Sequence, residues 1–253
     1  MLTAAQRSKI AEDGFCVIEN AISPDTLARA QDALDRAIES GRGSADGRLD
    51  PNSQNIRVYN LPAIDPVFIE LLNNAFALEA ARAAIGPDVI VSNFTANVAL
   101  PGSGSMNIQS DQALVMPGPW PHCFALNAIW CLDDVHEANG ATRYLPGSHR
   151  YRSIEEVPAD ATEKTVAFEA PAGSFVAMEG RLWHTSGKNV TADERRRMLF
   201  AYYSADFLRQ QMNWAYTLPQ DVVAQMDDGT RKLFGLEAAG NVRIGGAMTL
   251  LRS

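Results

Sequence analysis

Cysteine is scarce and poorly placed for cross-linking: Cys16, Cys123 and Cys131 are odd in number and form no CxxC pair. That argues against a disulfide framework or a structural zinc site and leaves three reduced thiols. Basic residues are in deficit, 22 against 30 acidic, for a net charge of -8, so no surface for nucleic-acid backbones or anionic lipids is expected. Apolar runs fall short of the roughly 18 residues of a membrane helix. The opening MLTAAQRSKIAEDG reads as a capped amphipathic helix, not as a charged segment before an apolar signal core. A cytoplasmic protein without membrane or nucleic-acid partners is the expectation. The chain also lacks a Gly-x-Ser-x-Gly elbow, a phosphate-binding glycine loop and a dinucleotide fingerprint.

What is present begins with helix signals. Thr3 and Gln6 are spaced for a capping box and Gly14 for a stop. Phe15 to Ile18 reads as a short buried strand. Ser23-Pro24 and Asp65-Pro66 each place a cap before a proline at the first helical position. Leu27, Ala30, Leu34 and Ile38 then recur on one face, and a further helix is expected over Ala75 to Ile85, before Gly86-Pro87. The segment Gly41 to Pro51, rich in glycine, is a candidate mobile lid or a surface loop. From Val89 the pattern changes. Stretches at Val89–Leu100, Asn127–Leu132, Thr165–Phe168, Ser174–Met178 and Met198–Tyr203 are short, β-branched or aromatic, and separated by Pro, Gly and Asn.

Helices first and strands after argue for a mainly β sandwich or barrel with amino-terminal helices. With no repeat and no linker, the 253 residues read as one domain: a mostly helical flank over 1–88, a β core over 89–205 and an extension over 206–253, with one or two short helices at Leu218 to Phe234.

Two features in this frame carry chemistry. Asp111 follows Gln109 by two positions in Gln109-Ser110-Asp111, and His184 lies far downstream in Trp183-His184-Thr185-Ser186-Gly187. Two imidazoles and a carboxylate on one face of Fe(II) leave positions for a chelating cosubstrate and O2. Asp111 and His184 fit two of the three places, and Gln109 stands where the first imidazole should be. Beyond His184 comes Arg195, whose planar guanidinium suits a carboxylate with two parallel hydrogen bonds. It opens the run Arg195-Arg196-Arg197. On a strand alternate members point opposite ways, so only one or two can face a site.

These blocks occur in order with Pro101-Gly102-Ser103-Gly104-Ser105, Pro119-Trp120-Pro121, Asn127-Ala128-Ile129-Trp130 and Asn139-Gly140-Ala141-Thr142-Arg143-Tyr144-Leu145-Pro146-Gly147-Ser148-His149. Together they resemble the phytanoyl-CoA dioxygenase family over most of the chain. The resemblance implies a double-stranded β-helix, or jelly-roll, and oxidative decarboxylation of 2-oxoglutarate at Fe(II), coupled to oxidation of a C–H bond in a small, largely apolar metabolite such as a natural product undergoing tailoring. By position it implies Asp111 and His184 as metal ligands, Arg195 and Ser186 on the 2-oxoglutarate carboxylate, Trp130 beside the cosubstrate, and Thr142 and Asn107 as its polar neighbours.

Gln109 departs from the family pattern. A glutamine carbonyl oxygen is a weaker donor to Fe(II) than imidazole nitrogen and has no proton to lose. Three readings stay open: a weak but real ligand, replacement by another group or water, or a chain that has lost iron and works as a binding protein or partner subunit. A metal-dependent reaction without O2, such as an isomerisation, is a further alternative. Of the other histidines, His122 reads as a rim or surface residue, His136 as solvent-exposed and His149 as hydrogen-bonding within the fold. Asp133-Asp134 reads as a solvated turn. Trp120, Phe124, Phe207 and Trp214 are core by default.

Overall fold

A computed structural model describes residues 1–41, 55–116 and 118–237. The candidate lid beyond Gly41 falls outside them. Helix α1 (Ala4–Asp13) starts at Thr3 with the full capping box and ends at Gly14, whose φ is 72°. Strand β1 (Phe15–Ile18) leads to α2 (Pro24–Glu39), capped by Ser23. Strand β2 (Asn55–Val58), α3 (Pro66–Leu72) and α4 (Ala75–Ile85) follow, and then β3 (Val89–Ala99). The remaining strands are β4 (Ala125–Cys131), β5 (Thr142–Tyr144), β6 (Val166–Ala167), β7 (Phe175–Glu179), β8 (His184–Ser186) and β9 (Arg196–Ala205). Short helices α5 (Trp214–Thr217), α6 (Gln220–Ala224) and α7 (Asp228–Leu233) close the described chain.

The strands form an antiparallel six-stranded sheet in the order β1-β7-β4-β9-β3-β2 and a three-stranded sheet in the order β6-β5-β8. Two strands of the large sheet, β1 and β2, come from the mostly helical flank. The long central strands are buried on both faces. On one face Leu126, Ala128, Trp130, Leu199, Ala201 and Tyr203 join residues of the helices in the largest core cluster. On the other, Ile129, Cys131, Val176, Met178 and Met198 pack toward the small sheet. Period-two alternation thus assigns the residues of β4 and β9 to the helix side or to the space between the sheets, and does so in β3 on each side of the register shift between Val91 and Asn93. Among the described residues no helix is long and apolar enough to cross a membrane.

Helix α2 is tied to the sheet by polar contacts as well as packing. Asp35 accepts from Arg195 at 2.8 Å and from Arg197 at 2.9 Å, and Gln31 donates to the Leu132 carbonyl at 2.6 Å. Arg197 also grips Asp133, with Nη2 to Oδ1 at 2.6 Å and Nε to Oδ2 at 3.0 Å. The expected solvated turn is therefore half an anchor: Asp133 is spent on Arg197, and only Asp134 is exposed.

His149 is buried, and its Nδ1 has no partner among the described residues. Its role is packing, not the expected hydrogen bonding: a Cβ on Gly14 would lie 2.6 Å from the imidazole ring. Burial holds its pKa below the ordinary 6.5. The unfolded chain therefore takes up the proton first as pH falls, and stability present above about 6.5 is lost below it. The expected result is a melting temperature that drops between pH 7.5 and 5.5, with a shallower drop in His149→Phe, which keeps the ring and has no proton to gain. A slope unchanged by that substitution counts against the assignment.

Candidate active site

A cavity of about 260 Å3 opens between the two sheets. Its wall on the large sheet follows from parity: Asn93, Thr95 and Asn97 on β3, Asn127 on β4, and Arg196, Phe200 and Tyr202 on β9. The facing wall holds Thr142 of β5 and His184, Thr185 and Ser186 of β8, with Met106, Gln109, Asp111 and Leu114 from the segment between β3 and β4.

Gln109 and His184 exchange both backbone hydrogen bonds, each 2.8 Å, as an isolated antiparallel bridge. Residues paired in this way project side chains to the same side of the ladder, so position 109 is held beside the imidazole. Asp111 lies off the strands. It opens a one-turn 3-10 helix (Asp111–Leu114), and its Oδ1 lies 3.7 Å from His184 Nε2. Asn127 donates to Asp111 Oδ2 at 2.9 Å, and the Tyr202 hydroxyl donates to the Asp111 carbonyl at 3.1 Å. Burial, reinforced by the Asp111 charge, pushes the Tyr202 phenol above its ordinary range, so it stays a donor. His184 Nδ1 lies 2.9 Å from the Leu182 carbonyl. A carbonyl accepts only, so the proton sits on Nδ1 and the Nε2 lone pair faces Asp111.

At the other end of the cavity lies Arg196, 1% exposed. Its Nη2 donates to the Gly140 carbonyl at 2.9 Å, while Nε and Nη1 are buried with no partner among the described residues. Burial lowers its pKa to about 10, and nearby Arg57 adds to the lowering. It remains a cation at neutral pH, and two unanswered guanidinium nitrogens beside Thr142 and Ser186 are the chemistry of a carboxylate site.

Three expected site residues lie elsewhere. Arg195 has a side chain 47% exposed and is paired with Asp35 outside the cavity. It precedes β9, and the member of the arginine run with inward parity is Arg196. Trp130 is fully buried on the helix side, its ring centroid 4.8 Å from that of Phe175. Parity again decides, because Asn127 and Trp130 are three positions apart on one strand and face opposite ways. Asn107 is exposed, whereas its neighbour Met106 turns inward, its backbone N–H donating to Ser186 Oγ at 3.1 Å. Thr142 and Ser186 do line the cavity. His122 is exposed and outside it, and half-exposed His136 is bound to Glu194 at 2.7 Å. Sequence reading missed Arg196, Asn127 and Tyr202. Asn127 carried one usable signal, as a polar residue inside an otherwise apolar strand.

Two β-sheets enclosing a buried imidazole and a partly buried carboxylate at one end and a buried guanidinium at the other make this a cupin-like jelly-roll. The model of the phytanoyl-CoA dioxygenase family matches residues 10–198, and the chain belongs to that family. It is 42% identical over 226 residues to dioxygenase af480 of Aspergillus fumigatus, covering 89% of this chain and 73% of that protein. It is 25% identical over 247 residues to the multifunctional dioxygenase prhA of Penicillium brasilianum, covering 90% and 81%. Among solved structures, EctD from S. alaskensis with 2-oxoglutarate and 5-hydroxyectoine superposes with a TM-score of 0.68 at 26% identity, over 81% of this chain and 76% of that one.

Proposed function

We propose that this chain is an Fe(II)- and 2-oxoglutarate-dependent dioxygenase that oxidises a C–H bond of a small metabolite, with the Gln109 amide oxygen at the first metal position. The observation that carries the reading is the paired backbone of Gln109 and His184, which holds the glutamine beside the imidazole and Asp111. Among the described residues no cluster of three His, Cys, Asp or Glu offers a rival site. Fit is therefore decided by donor chemistry: one imidazole nitrogen with its lone pair exposed, one carboxylate and one neutral amide oxygen. That set suits Fe(II), less tightly than two imidazoles would. Arg196, Thr142 and Ser186 would hold the far carboxylate of 2-oxoglutarate. When bound, iron and the 2-oxo acid supply O2 activation with release of succinate and CO2.

The chain's own contribution is placement. Asn127 fixes the rotation of the Asp111 carboxylate, the Leu182 carbonyl fixes the His184 tautomer, and buried Arg196 sets the depth at which a dicarboxylate comes to rest.

The test is anaerobic titration of metal-stripped protein with Fe(II) and then 2-oxoglutarate, following the visible charge-transfer band of the chelate. The native chain is expected to develop the band, and Gln109→His to do so with iron affinity higher by about tenfold or more. A band seen only in Gln109→His would sink the reading and leave a family member that works without iron, as a binding protein or partner subunit.

A further inference from the structure

Exposed apolar side chains gather beside the cavity. Leu114, 69% exposed, lines it and follows Asp111 on the same 3-10 turn. Met116, two residues on, is 75% exposed. The turn is tied to Phe124, whose N–H donates to Gln112 Oε1 at 2.7 Å. Phe124 in turn meets Phe207 edge to face, with centroids 5.6 Å apart, and Phe207 is 67% exposed. From Phe207 the chain runs on to Gln211, which lines the cavity and donates from its backbone to Ser92. Of these side chains Leu114 lines the cavity itself and Phe207 is linked to the same turn through Phe124, and large apolar side chains held in water beside a cavity mark a binding surface.

Volume decides what binds there. Sites that swallow a drug-sized ligand span about 300–1,000 Å3, and this cavity of about 260 Å3 must also admit the 2-oxo acid. We infer that Leu114 and Phe207, backed by Phe124, form an apolar rim that positions the substrate. The substrate has a broad apolar body that rests on the rim outside the cavity while only its reacting edge enters. This rests on the proposed function, whose polar floor is taken by 2-oxoglutarate, and it makes Leu114 and Phe207 positioning residues that set specificity.

The experiment uses N-phenyl-1-naphthylamine, a neutral apolar fluorophore, titrated into the full chain, with calorimetric 2-oxoglutarate binding measured in parallel. Leu114 and Phe207 are exposed, so serine substitutions cost little stability. The expected result is one fluorophore site, weakened about fivefold or more by Leu114→Ser or Phe207→Ser and further by both. Val190→Ser, the same change at a side chain 73% exposed but outside the cavity lining, is expected to leave it intact. Equal binding by wild type and the double variant, or no binding at all, overturns the rim. So does a wild-type dimer on size exclusion that the double variant loses, which would make the surface an interface between copies. Failure of 2-oxoglutarate binding with the fluorophore pattern intact would count against the proposed function and leave the rim standing.

Discussion

Arg196→Leu is expected to raise the dissociation constant for 2-oxoglutarate by at least about 100-fold, while Arg195→Leu changes it by less than about twofold. The buried guanidinium has two nitrogens without partners among the described residues, and hydrogen bonds to a charged group contribute about 1.5–3 kcal/mol each. Two of them, at 1.4 kcal/mol per tenfold, give that size. Arg195 is paired with Asp35, across a half-exposed pair of the kind that contributes about 0–1 kcal/mol. Thermal stability separates the two variants in the opposite sense. Removing a buried cation relieves desolvation, so Arg196→Leu is expected to melt no lower than wild type. Affinity should be flat between pH 6 and 8 and weaken as pH nears 10, where burial places the Arg196 pKa. Calorimetry on both variants settles the matter. Equal losses, or a larger loss in Arg195→Leu, would refute the assignment.

Asp111→Asn is expected to lower Fe(II) affinity by more than about 100-fold. Ordinary outer-shell changes at a metal site cost about 10–100-fold, and this one removes a ligand's charge. The site starts with only two strong donors, His184 and Asp111. With asparagine at 111 the imidazole faces two neutral amides, and among the described residues no other carboxylate lines the cavity. Asn127→Leu supplies the graded companion: it leaves the carboxylate ionised but frees its rotation, and a loss of about tenfold is expected. Both are read as iron retained after dialysis and as intensity of the chelate band. If Asp111→Asn binds iron like wild type, the metal lies elsewhere.

These two residues also show how far the sequence could be read. That Asp111 and His184 meet in one cavity was legible, because metal chemistry restricts residue type and spacing. The amino-terminal helices were legible because Thr3, Ser23 and Asp65 cap them through local hydrogen bonds. Arg196 and Trp130 were not. Their placement depends on the phase of a strand buried on both faces, where apolar residues fill either parity and the hydrophobic pattern carries no phase. Strands β5 and β8 were missed because three residues are too few for a period. Met106, not Asn107, turns inward because Ser186 accepts its N–H, a contact between segments far apart in sequence.

The arginine run has one more consequence. Slide β9 by one residue either way and a guanidinium still arrives at the cavity floor, so the floor alone cannot detect the error. Detection happens on the far side. The observed phase sets Arg197 on both Asp133 and Asp35 and Arg195 on Asp35 as well, whereas the slide that brings Arg195 to the floor sets Glu194 against Asp35 and the opposite slide sets Met198 against Asp133. The arginine that faces the cavity is chosen by a helix and a loop outside it, which makes Asp35 and Asp133 the proofreaders of a site to which neither belongs.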